Sequence, residues 1–230
     1  LVCLMVANNE TGVLHPLPEA AALCRAHGAL LLADAAQAAG RLPLDLPGLG
    51  ADALAISGHK FGGPAGAGAL LLRPGLDLAP LIAGGGQERR RRGGTPALPA
   101  IAGMAAAAGP PAPHLAPLRD AAEAAATACG AVVCGHGAPR LANTTCLALP
   151  GVRAETQVIA LDLAGIRVSA GAACSSGKVT ESHVLAAMQL GPLAGQAIRV
   201  SFPWNATEAD LAAFTRAYAG MAARVRRRAA

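Results

Sequence analysis

The stretch ALAISGHKFGGPAGAGALLLR, Ala53 to Arg73, sets two apolar runs on either side of a polar tetrapeptide and a glycine-rich link. Residues 53–57 and 69–73 have the length of buried strands rather than helices, and residues 62–68 between them read as loop. The same grammar repeats upstream. An apolar run at residues 1–7 stops at Asn8, Asn9 and Gly12, and a helix-like stretch at 17–27 opens with Pro18 and ends at Gly28. A second strand, 29–33, stops at Asp34. Strand, helix, strand spacing of this kind predicts an α/β sheet, in which ligand groups gather at the carboxyl ends of strands. Asn9, Asp34, Ser57 and His59 each fall where an apolar strand stops.

Beyond the loop at 84–95, the Ala- and Pro-rich stretch to residue 113 predicts a helix followed by a linker, and from Leu115 the pattern restarts. Helices at 115–129 and 155–163, strands at 131–134, 144–149 and 167–169, and a closing helix at 208–224 capped by Thr207 predict a smaller α+β domain. The expected division is therefore 1–113 and 114–230.

Composition narrows the function classes. The chain has 230 residues, enough to bury a core without disulfides, and is 53% hydrophobic but 2% aromatic, so Leu, Ala and Val must fill that core. The net charge of +5 comes largely from Arg89–Arg92 and Arg226–Arg228, without the interleaved aromatics of single-strand binders, so no nucleic-acid partner is expected. The six cysteines, at 3, 24, 129, 134, 146 and 174, form no CxxC and have no zinc-type histidine spacing. Neither a metal nor a disulfide framework is expected, and a reducing, cytoplasmic compartment fits. No run approaches about 18 apolar residues, so no membrane span is expected. Leu1 opens directly on an apolar run, which suggests a fragment of a longer chain.

The basic residues are unequal. Seventeen of 19 are arginine, and the two lysines are Lys60 and Lys178. An amine can lose its proton and form a Schiff base, which a guanidinium cannot. Asp34 and Gln37 form D-x-x-Q after a buried strand; alone, this favours a helix N-cap. Ser57-Gly58-His59-Lys60 after the next strand reads alone equally well as a turn with a surface lysine. Together they change the reading, because pyridoxal phosphate needs an imine-forming lysine, an Asp facing the pyridine nitrogen and donors for its phosphate. Ser57, His59 and Thr95 are candidate phosphate ligands.

Six segments in order carry a resemblance: ANNETG (7–12), DAAQAAG (34–40), SGHKFGGPAGAGAL (57–70), GGGQERRRRGGT (84–95), SAGAACSSG (169–177) and AIRVSF (197–202). They resemble those of the cysteine desulfurases, class V aminotransferase relatives of pyridoxal phosphate fold type I. The resemblance implies part of a large, mainly parallel-sheet cofactor domain plus a smaller α+β domain carrying the nucleophilic Cys loop. It implies that Lys60 holds pyridoxal 5'-phosphate as an imine and moves protons at the substrate carbon. Asp34 would pair with the pyridine nitrogen, Gln37 and Asn9 would lie near the phenolic oxygen, and Ser57 and His59 would hold the phosphate. Thr95 would reach the phosphate on the partner subunit of a homodimer. Arg199 would hold the carboxylate of L-cysteine by a two-point contact, against the plainer reading of a strand salt bridge.

Cys174 would be the nucleophile that takes the sulfur as a persulfide and leaves L-alanine. Its loop of small residues would carry that sulfur to an acceptor or iron-sulfur scaffold protein. The other five cysteines read as buried small hydrophobes. His15 reads as surface or loop, His183 as a cap or packing group, and Lys178 as solvated. The family's ring-stacking histidine and phosphate-binding Thr turn would precede Leu1. Two other readings stand beside the desulfurase: a selenocysteine lyase, and a truncated inactive relative serving as a scaffold or dimerisation partner.

Overall fold

The computed structural model describes residues 1–110, 112–171 and 181–229, apart from the side chains of residues 226, 228 and 229. These form two compact units. The first comprises Leu1–Ala7 and His15–Pro111, the second Asn8–Leu14 and Ala112–Ala230. The sequence reading kept residues 8–14 in the first domain; the structure packs them with the second.

In the first unit, β1 (Val2–Met5), β2 (Leu31–Asp34), β3 (Ala53–Ser57) and β4 (Gly68–Leu72) form one sheet in that order. β1, β2 and β3 are parallel, and β4 returns antiparallel to β3 through the glycine-rich link. Helix α1 (Leu17–Ala26) buries Leu17, Ala21 and Cys24, an i, i+4, i+7 stripe, in a core with Leu31, Ala33 and Leu54. It ends where Gly28 takes φ +62° and Ala29 N–H returns to Cys24 O. A four-residue helix, α2 (Leu46–Leu49), precedes β3; its Pro47-Gly48 pair hides it from propensity, but Asp45 caps it by accepting from Gly48 N–H at 2.9 Å. Helix α3 (Leu98–Ala107) follows the arginine run and buries none of its residues.

Asp52 locks the ends of three strands. Its Oδ2 accepts from Leu31 N–H at 2.8 Å, its Oδ1 from Arg73 Nε, and its own N–H and C=O bond Leu31 and Arg73. The Leu31 amide, helped by the Arg73 guanidinium, holds its carboxyl below the usual carboxylate range. With the folded value depressed, this contribution is complete above the unfolded carboxylate value and is lost as pH falls through the folded one. The half-exposed Arg73 is screened by water. Asp52→Asn is therefore expected to cost about 1 kcal/mol at pH 7 and much less near pH 3. Urea unfolding at the two pH values measures this, and an equal loss at both would refute the linkage.

In the second unit, β5 (Val132–Val133), β6 (Thr144–Ala148), β7 (Ser169–Ala170) and β8 (Ala197–Ser201) form an antiparallel sheet in the order β5-β6-β8-β7. β6 is buried along its whole length. Leu147 faces a core built by Leu118, Ala122 and Ala126 of α4 (Leu115–Ala128) and by Phe214, Tyr218 and Met221 of α7 (Glu208–Ala229). Cys146 and Ala148 point the other way, into a smaller cluster with Cys134 and with Leu185 of α6 (His183–Ala187). Helix α5 (Ala154–Asp162) adds Leu161 to the first core. α7 runs five residues past its expected end; Thr207 begins it by donating its N–H and hydroxyl to Asp210 Oδ2 while its carbonyl accepts from Asp210 and Leu211 N–H. α6 is capped by Ser182, not by His183.

Candidate functional site

In the first unit the parallel register brings the ends of β2 and β3 to one edge, with Asp34 paired to Ala55 and Ser57 closing β3. Asp34 Oδ1 accepts from Ala36 N–H at 2.9 Å, and the chain then turns tightly through residues 35–41 without forming a helix. The expected helix cap is thus a local side-chain turn. Oδ2 makes no hydrogen bond among the described residues and remains able to pair with a protonated ring nitrogen. Gly40, at φ +71°, closes this turn against Phe61, where an added Cβ would lie 2.6 Å from Phe61 Cβ.

Ser57 leads into a 3-10 turn, Gly58–Lys60. Gly58 is buried, and a Cβ there would press on Met104 at 3.0 Å, so close packing demands glycine beside the lysine. Ser57 Oγ and His59 Nδ1 lie 3.0 Å apart and His59 is exposed, a hydroxyl and imidazole able to donate to a phosphate. Arg41 joins the two turns: Nη1 donates to Gln37 O at 2.6 Å and Oε1 at 2.7 Å, and Nη2 to Lys60 O at 2.8 Å. Lys60 is half-buried, and its amine makes no hydrogen bond or ion pair among the described residues. Asp34, Gln37, Ser57, His59 and Lys60 therefore share one edge. Thr95 is exposed and makes no hydrogen bond to them among the described residues.

Asn9 and Arg199 meet in the second unit. Arg199 stands on β8 between Cys146 of β6 and Ser169 of β7. Its Nη1 donates to Asn9 O at 2.9 Å and its Nη2 to Ser169 Oγ at 3.2 Å. Both acceptors are neutral, and no carboxylate pairs with this guanidinium among the described residues. The strand salt bridge does not form, and the charge stays available to an incoming carboxylate. Opposite Arg199, Cys146 is pushed well above the usual thiol range by its hydrogen bond with Cys134 and by burial, with the Glu10 charge adding and Arg199 opposing. Cys146 is thus a protonated packing group, not a nucleophile. Cys174 and Lys178 lie outside the described residues.

Other expectations change. Cys3 is exposed and Cys129 half-buried, so the reading of buried hydrophobes holds for Cys24, Cys134 and Cys146. His15 is not partnerless, since its Nδ1 lies 2.8 Å from Met5 O. Sequence reasoning missed Arg41, whose signal was its i+4 spacing from Gln37 on the far side of the turn. It also passed over Glu10 within ANNETG. A cavity of about 340 Å³ in the second unit, bordered by Gly171, Glu181 and Ala197, is lined by none of the predicted site residues among the described residues.

An amine and a carboxylate at adjacent parallel strand ends, beside a hydroxyl and an imidazole, are the donor set that pyridoxal phosphate requires. The chain is 44% identical over 218 residues to a cysteine desulfurase of Cereibacter sphaeroides, covering 92% of this chain and 56% of that protein. Its fold matches that of a NifS-like protein from Rickettsia africae with a TM-score of 0.86 at 32% identity, covering 96% of this chain and 61% of that one. A solved structure described as SspA in complex with cysteine matches with a TM-score of 0.72 at 30% identity, over 87% of this chain and 58% of that one. The chain thus spans a little over half the length of the proteins it resembles. The model of the aminotransferase class-V family matches residues 1–214, and the chain belongs to that family.

Proposed function

We propose that this chain supplies the lysine, carboxylate and thiol of a pyridoxal phosphate-dependent cysteine desulfurase. The observation that carries the reading is the Arg41 clamp, which fixes the Lys60 turn against the Gln37 turn just beyond Asp34. The relatives named above include a cysteine desulfurase and a protein solved with cysteine.

When bound, pyridoxal phosphate supplies an electron sink for negative charge developing at the substrate α-carbon. Lys60 would hold the cofactor covalently and afterwards carry the proton at that carbon. Asp34 would keep the pyridine nitrogen protonated, and Gln37 and Asn9 would serve the phenolic oxygen. Ser57 and His59 would take the phosphate, and Thr95 that of the partner subunit in a homodimer. Arg199 holds the cysteine carboxylate, with its orientation set by Asn9 O and Ser169 Oγ. The Cys174 thiolate attacks the substrate sulfur as the carbon–sulfur bond breaks, and the carbon gains a proton. The products are L-alanine and a Cys174 persulfide, so sulfur is transferred with no external oxidant.

That persulfide passes to an acceptor protein, of which an iron-sulfur scaffold is one kind. Exposed Leu70, Leu71, Leu81, Ile82 and Leu98 in the first unit support pairing of two copies. A reducing cytoplasm suits a chain whose described cysteines form no disulfide. The test uses protein from the complete reading frame, loaded with pyridoxal phosphate and given L-cysteine and a thiol reductant. Alanine and sulfide should appear in equal amounts. Selenide from selenocysteine with no sulfide from cysteine would move the assignment to a selenocysteine lyase, and neither product would overturn it.

A further inference from the structure

The segment Asn8–Leu14 of the second unit begins with a tightly knotted turn. Asn8 Oδ1 accepts from the N–H groups of Glu10 and Thr11, both at 2.9 Å, and from Thr11 Oγ1 at 3.1 Å. One buried side-chain oxygen holding three donors fixes the backbone of the residues between them. Two successive residues are thereby aimed at targets. The carbonyl of Asn9 receives Arg199. The side chain of Glu10, 3% exposed, runs inward.

There the carboxylate meets both ends of one segment. Glu10 Oε2 accepts from Ser182 Oγ at 2.5 Å, and a Cβ added to Gly171 would lie 3.0 Å from the same oxygen. Gly171 and Ser182 stand on either side of residues 172–180, the stretch that includes Cys174. Backbone contacts hold both stems, with Gly171 N–H on Ala197 O at the start of β8 and Ser182 N–H on Ala194 O in the 3-10 turn that precedes it. Ser182 in turn caps α6 by accepting from Leu185 N–H. A hydroxyl donating to a carboxylate oxygen in a buried site is costly to lose, because either group would be left unpaired there.

We propose that Glu10 is a positioning residue for sulfur removal: through Ser182 it ties the stem that follows residues 172–180, the stretch that includes Cys174, to the same turn that holds Arg199. This rests on the desulfurase reading. It adds to that reading a residue that touches neither substrate nor cofactor and acts through Ser182.

The experiment compares wild type, Glu10→Ala and Glu10→Gln in the cofactor-loaded protein. Because Asn8 holds the turn without the Glu10 side chain, Glu10→Ala should lower kcat for sulfide release by about tenfold or more while the cysteine KM and the cofactor absorbance band stay put. Glu10→Gln keeps an acceptor for Ser182 and should restore most of the rate. Gly171→Ala, which presses a methyl on the carboxylate from the opposite side, should reproduce the loss with the turn untouched. A second readout needs no catalysis: in cofactor-free protein, iodoacetamide should alkylate Cys174 about threefold faster or more in Glu10→Ala, measured against an added free-thiol peptide as reference. Unchanged kcat and alkylation, a KM or absorbance change in step with kcat, or a Gln variant no better than Ala would each overturn the proposal. Wild-type protein that releases no sulfide would instead overturn the desulfurase reading, and the alkylation comparison would still decide whether Glu10 ties the segment.

Discussion

Under the desulfurase proposal, Lys60→Ala should abolish covalent retention of pyridoxal phosphate and its absorbance band, and should lower sulfide release from cysteine by about 10²–10⁴-fold through the lost proton carrier alone. The size of the effect follows from the site. Lys60 is one of two lysines in the chain, and its turn is held by the Gly58 packing and by the Arg41 bond to its carbonyl. Neither contact involves the amine, so the substitution removes the amine and leaves the scaffold. Lys60→Arg is the sharper control. It keeps the stem and the positive charge but cannot shed a proton to attack a carbonyl, and it should be as inactive as alanine. Retention of the band in either variant would show that another amine holds the cofactor.

Cys174→Ala should release sulfide about a thousandfold or more slowly than wild type, since the substrate sulfur then lacks an attacking thiolate. Cysteine should still perturb the cofactor absorbance, because Arg199 and Lys60 are intact. The buried Cys24, Cys134 and Cys146 are not suited to replace it, and Cys146 is held protonated. Sulfide output that survives the substitution would end the persulfide mechanism. Mass spectrometry of the wild type after cysteine, read for added sulfur on the peptide carrying Cys174, gives the same answer without mutagenesis.

What was legible before any coordinates divides along physical lines. β3 was readable to the residue, because a four-residue apolar run between an Asp and a Ser-Gly leaves little choice. Lysine scarcity together with D-x-x-Q and SGHK pointed to a cofactor chemistry, since such residues are dictated by reaction rather than by packing. α2 was not legible because proline and glycine suppress helix propensity, and a capped single turn overrides it. The left-handed backbone of Glu88, Arg89 and Arg90, at φ 49°, 56° and 68°, was equally hidden, because none of those residues advertises a positive φ. Glu10 escaped for a different reason. Its role depends on a partner 172 residues away, and no local pattern carries that information.

The placement of Asn8–Leu14 also bears on how the molecule is made. Along the chain, residues 8–14 of the second unit interrupt the first, and most of the first unit separates them from the rest of the second. During synthesis those seven residues must wait for later partners: Pro139 and Leu141 bond Leu14 and Gly12, and Arg199 reaches Asn9 across 190 residues. Closing so long a loop is slow and entropically costly. The second unit therefore completes itself late and all at once, and a cut at residues 111–112 would not yield two independent halves, because the later half would leave behind the segment on which its arginine rests.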